Sequence, residues 1–248
     1  MTSPTCPDAL WLNVSPSFER FDHKLLGCLA PYIEVAHWAY RQTPDEPSSL
    51  DIAVALLHDY LKGHNRPVHL LGHGTGGLVG LLYARQNPHR VKSLTLLGVG
   101  VNPMVDWQAH YYSQLEKLPC SRQQVLTQMA YSLFGHTSRP LVSGWVNLLE
   151  QDLIHTLSPH SLLKRVSLCP GSAGVPLLVC GGEEDAVVDP HQIRGWRPWL
   201  KGGDRAILCP GRHFFHATAP RLVARQILSF WGTTHDISVT PQGLEAVS

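Results

Sequence analysis

No stretch of this chain approaches the roughly 18 consecutive apolar residues that a bilayer-spanning helix needs, so no integral membrane segment is expected. Charge is also scarce. Charged residues make up 16% of the 248, and 20 Lys and Arg against 19 Asp and Glu leave a formal net charge of +1. That balance builds no basic face, so neither nucleic acid nor an anionic membrane surface is expected as a partner. Residues 1–8 lack the basic-then-apolar pattern of a signal peptide. The six cysteines form no Cys-x-x-Cys pair, and a reducing, cytoplasmic setting is expected. Cys180 and Cys209 sit in apolar runs and read as buried free thiols. The 15 histidines are scattered, and their His-x-x-x-His spacings lack acidic partners, so neither a metal nor another cofactor is expected.

What is present is a rhythm. Hydrophobic residues make up 44% of the chain, enough for one large core. Short β-branched runs at residues 10–14, 32–36, 68–71, 93–97, 176–180 and 205–209 read as strands. Residues 49–61 carry Ile52, Ala53, Ala55, Leu56, Tyr60 and Leu61 at helical spacing, with Ser48 or Ser49 as the cap. Residues 76–86 read as a buried helix, and 219–231 as a C-terminal helix with Pro220 in its first turn. Alternation of this kind predicts an α/β fold, a mostly parallel sheet of about six strands flanked by helices.

One segment breaks the rhythm. Residues 102–173 contain no convincing strand but hold Trp107, His110, Tyr111, Tyr112, Met129, Tyr131, Phe134 and Trp145. They read as a helical insertion over the sheet end, dividing a core of residues 9–101 and 174–232. Residues 233–248 are polar and read as a loose tail.

The chemistry concentrates after the third strand, in Val68-His69-Leu70-Leu71-Gly72-His73-Gly74-Thr75-Gly76-Gly77. A P-loop needs a Lys-Ser/Thr pair that is absent. The spacing Gly72, Gly74, Gly77 matches a dinucleotide fingerprint, but the following strand runs into Gly98-Val99-Gly100 with no acidic residue. The remaining use is a nucleophile elbow, Gly-x-Ser-x-Gly. Here the text is Gly72-His73-Gly74-Thr75-Gly76, and with it the chain resembles the α/β-hydrolase superfamily. The likeness extends to Tyr83-Ala84-Arg85-Gln86-Asn87-Pro88 and to the strand beginning at Ser93. It implies that residues 102–173 are the family's cap, that Asp185 orients a histidine, and that His213 is the general base. Asp189, ahead of Pro190, reads as a turn residue, and His191 and His216 as ordinary structural histidines.

The resemblance also marks two departures. Gly74 stands at the nucleophile position and offers no oxygen or sulfur, a loss worth a factor of about 10⁶ in such triads. The oxyanion loop, His-Gly-x-x in the family, aligns with Asn13, Val14 and Ser15. The Ser15 and Thr75 amides could still form an oxyanion hole, or residues 13–17 could be a plain turn. The Thr75 hydroxyl is expected to point away from the pocket. Three readings stay open. The chain could be a pseudoenzyme binding a small apolar molecule through its aromatic cap, or a protein partner through a surface such as Trp196 and Trp199. It could be an esterase, thioesterase or lyase using His213 and Asp185 on water, or with Ser15 as a substitute nucleophile. It could be a scaffold or assembly factor.

Overall fold

The computed structural model describes residues 7–43, 45–46, 48–136, 138–161 and 166–232. Cys6 and the expected tail at 233–248 lie outside them. The strands are β1 (Ala9–Asn13), β2 (Val35–Ala39), β3 (Val68–His73), β4 (Val91–Leu97), β5 (Leu177–Gly182) and β6 (Arg205–Cys209). They form one six-stranded sheet, parallel throughout, in the order β2-β1-β3-β4-β5-β6. The expected α/β architecture therefore holds. From β1 the chain moves first to β2 on one side and later to β3 on the other. Such a reversal opens a crevice at the C-terminal strand ends, where ligands sit in open α/β sheets.

Burial on both faces explains why β1 reads as an unbroken apolar run. Ala9 and Trp11 face Leu25 and Leu29 of helix α1 (Glu19–Leu29) and Ile227 of the C-terminal helix α8 (Pro220–Trp231). Leu10 and Leu12 face the other way, toward Leu57 of α2 (Leu50–Leu61) and Val79 of α3 (Gly74–Gln86). Each such buried leucine contributes about 1.5–3 kcal/mol. At Gly76 the helix–strand approach is closest. A Cβ there would stand 2.2 Å from the carbonyl oxygen of Leu12, so only glycine lets α3 lie on β1.

Several expectations shift. The second strand begins at Val35 rather than residue 32, because Tyr32 and Ile33 donate their amides to Leu29 O and finish the helical turn. Helix α1 was not anticipated. Its buried stripe of Asp22, Leu25, Leu26 and Leu29 has helical spacing but includes a carboxylate. Helix α2 has Ser49 at its N-cap, yet neither candidate serine caps it through its side chain. Ser48 instead exchanges hydrogen bonds with the backbone of Ser158.

Three helices follow β4: α4 (Trp107–Lys117), α5 (Arg122–Phe134) and α6 (Arg139–His155). Ser121 and Gln124 close a capping box at the start of α5. Several aromatics of this segment pack on one another and on the loops after β1 and β6. Phe134 stacks on Phe214 at 5.1 Å and on Trp145 at 4.9 Å, and Trp107 meets Phe18 edge-on. Beyond β5, Asp189 caps the short helix α7 (Pro190–Arg194) by accepting from the His191 and Gln192 amides, the expected turn role. The two tryptophans that follow are divided. Trp196 is buried and donates to Val99 O, while Trp199 is exposed. Cys180 and Cys209 are buried free thiols, and burial pushes Cys209 up to about 11. No helix among the described residues is long and apolar enough to cross a membrane.

Candidate functional site

The loops after β5 and β6 are tied together before any side chain is considered. Glu183 N–H donates to Cys209 O, and Glu184 N–H to Gly211 O. This brings Asp185 and His213 into contact, with His213 Nδ1 donating to Asp185 Oδ2 at 2.9 Å. Both side chains are buried. The other carboxylate oxygen, Oδ1, accepts from the Val187 and Val188 amides at 2.8 and 3.0 Å. Burial acts to raise the Asp185 pKa, but the charge and hydrogen bond of His213 and the two amides outweigh it and hold the carboxyl below its ordinary value. With Nδ1 committed, Nε2 is the nitrogen His213 has left for chemistry.

Gly74 lies at the junction of β3 and α3 with φ +51°, the left-handed backbone that an elbow requires. A Cβ built there meets nothing within 4 Å. The open space belongs to a cavity of about 40 Å³, whose walls include Asn13, Ser15, Gly74, Thr75, Asp106 and His213. That volume accommodates about three water-sized groups. Further polar walls come from Asp22, Gln108 and Thr156.

The other side of this cavity departs from expectation. The Ser15 amide donates to Asn13 Oδ1 at 2.8 Å, an Asx-type turn that engages the backbone N–H expected to face a substrate oxygen. Thr75 does not point away. Its hydroxyl lines the cavity and donates to Asp106 Oδ2 at 3.3 Å, because the chain leading into α4 folds back over the elbow. Asp106 is the α4 N-cap, and its Oδ1 accepts from the Ala109 amide at 2.8 Å. Burial raises its pKa, and His160, the Ala109 amide, Thr75 and His213 offset this only in part.

The fold agrees with that of other proteins. A family model described as the alpha/beta hydrolase fold matches residues 60–128. An uncharacterized protein of Synechocystis sp. is 47% identical over 90% of this chain and 89% of its own. The structure of a hydrolase from Pseudomonas aeruginosa superposes with a TM-score of 0.68 at 21% identity, covering 93% of this chain and 91% of that one. An enol-lactonase from Burkholderia xenovorans superposes with a TM-score of 0.65 at 16% identity, covering 94% of each chain. The chain has the α/β-hydrolase fold.

Within that fold, sequence reasoning missed two polar clusters. His216, read as an ordinary structural histidine, forms with Asp22 a second buried imidazole–carboxylate pair. His216 Nε2 donates to Asp22 Oδ1 at 3.1 Å, and Trp11 Nε1 to Asp22 Oδ2 at 3.0 Å. His73 packs between the two pairs, 4.7 Å from the His213 ring and 4.6 Å from that of His216, and donates Nε2–H to His213 O. Burial first, then the His216 and His213 charges, push His73 well below its ordinary value, so it stays neutral. The second cluster is Asp106 with Asp152. Asp152 accepts from Trp107 Nε1, Gln108 Nε2 and Thr156 Oγ1, and burial pushes it up to about 7. The available signals were Asp106 directly ahead of Trp107, and Asp22 directly after Phe21. The partners of these carboxyls lie up to 194 residues away, beyond the reach of periodicity.

Proposed function

We propose that this chain is a non-hydrolytic member of the α/β-hydrolase superfamily, a pseudoenzyme toward esters, whose pocket over His213 and Asp185 binds a small polar molecule. The observation that carries the reading is Gly74. It keeps the elbow backbone while presenting no nucleophile to His213. The engagement of the Ser15 amide by Asn13 supports it, since an oxyanion hole would lose that donor. Asn13, Asp22, Asp106, Gln108 and Thr156 stand in the cavity wall beside Phe18, Trp107 and Phe214, and a small ligand carrying polar groups matches the former set.

The test is hydrolytic. The natural chain is expected neither to react with a fluorophosphonate probe nor to hydrolyse p-nitrophenyl acetate faster than His213→Ala. Gly74→Ser is expected to gain labelling, and Gly74→Ser with Asn13→Gly to exceed it by about tenfold or more as the Ser15 amide is released. Ester hydrolysis by the natural chain that disappears in His213→Ala would overturn the proposal. It would favour a second reading, in which the buried pair activates a water molecule in the open space above Gly74.

A further inference from the structure

Two protonatable groups face one small cavity, and each is held from behind by the protein. His213 is oriented by Asp185 at 2.9 Å. Asp106 is held by the Ala109 amide and the Thr75 hydroxyl. Among the described residues no Lys or Arg is bonded to Asp106. His160 Nε2 stands 3.8 Å from it and donates instead to Met104 O at 2.6 Å. Asp22, the other carboxyl in the wall, is bonded to the His216 imidazole and the Trp11 indole. Asp106 is therefore the cavity's candidate proton donor, and His213 its candidate base. Gly74 removes the nucleophile that would otherwise compete with a substrate for His213.

We propose that Asp106 and His213 are an acid–base pair that transfers protons between carbon and oxygen of a small α-hydroxycarbonyl compound. The inference rests on the non-hydrolytic reading of the pocket and gives that pocket a substrate class. His213 Nε2 takes the proton from the carbon beside the carbonyl, and the C–H electron pair becomes the C=C bond of an enediol. The carbonyl π electrons move to oxygen, which takes the Asp106 proton. Reversal returns a proton to carbon from His213 and one from the enediol O–H to Asp106, so no oxidant or co-reactant is consumed. The small cavity favours the shortest members of the class. Burial of Asp106 supports its neutral form.

Glycolaldehyde and hydroxyacetone in D₂O test the idea, with loss of the α-proton NMR signal as the readout and saturation-transfer NMR reporting binding. The natural chain is expected to accelerate exchange at least about tenfold over buffer. His213→Ala is expected to abolish the acceleration, and Asp106→Asn to lower it about tenfold or more, while both still bind the probes. Asparagine is as good an N-cap as aspartate, so Asp106→Asn keeps α4 intact. Binding without accelerated exchange overturns the acid–base proposal alone. Exchange in Asp106→Asn equal to that of the natural chain does the same. Absence of binding to either probe overturns this proposal, while ester hydrolysis lost in His213→Ala overturns the non-hydrolytic reading separately.

Discussion

The two sides of the cavity differ in their hydrogen bonds. On the side built by the β5 and β6 loops, every bond that an orienting carboxylate and a base need is present: Asp185 to His213, and two backbone amides to Asp185. On the side built by β1, β3 and the α4 entrance, the bonds differ from those expected of an elbow and its oxyanion loop. Gly74 carries no side chain, Asn13 holds the Ser15 amide, and the Thr75 hydroxyl turns to Asp106. The base and its carboxylate are bonded as expected, whereas the loop facing them is not.

The comparison can be broken or sharpened by substitution. The largest effect is expected at the elbow itself, between two glycines two residues apart. Gly76→Ala forces a methyl against Leu12 O and should cost at least about 4 kcal/mol. Gly74→Ala meets open space and should cost about 1 kcal/mol through its left-handed backbone alone. Urea denaturation of the two variants measures this, and equal losses would show that α3 does not depend on contact with β1.

On the other side, Asp185→Ala leaves two buried amides and the His213 Nδ1–H without an acceptor. A loss of about 3 kcal/mol is expected, with Asp185→Asn recovering part of it. An unchanged urea midpoint would mean that the dyad has no structural role.

The smallest effect concerns the carboxyl beneath the α4 entrance. Asp152 is pushed from 3.8 to about 7, so between those values the folded chain keeps a proton that the unfolded chain releases. Its stabilising contribution is full below about pH 4 and is lost as pH rises toward about 7. Asp152→Asn should flatten this fall, a difference on the order of 2 kcal/mol between about pH 5 and about pH 8. His69 runs the opposite way. Burial lowers it to about 4, so its share of stability is lost as pH falls from about 6.5 toward about 4. Urea midpoints across this range, with Asp152→Asn beside the natural chain, separate the two trends. Parallel profiles would assign the alkaline loss to other groups.

The legible part of the site was the part encoded by local turns. Gly72-His73-Gly74-Thr75-Gly76, Asp185 and His213 each follow a strand, and a parallel sheet brings consecutive strand ends together. The turn role of Asp189 was legible because an aspartate before proline caps through its own neighbours. The second strand was misplaced because Tyr32 has strand propensity but closes a helical turn.

By itself, the sequence determined the α/β class, the order of the motifs and the absence of a side chain at residue 74. These follow from periodicity and from backbone demands within a few residues. Only the tertiary structure decided what surrounds that absence. The folding back of Asp106 onto Thr75, the pairing of His216 with Asp22 and the engagement of the Ser15 amide by Asn13 depend on side-chain directions and, in two cases, on distant segments. The vacancy at Gly74 is thus a fact of sequence, and the polar cavity around it a fact of packing.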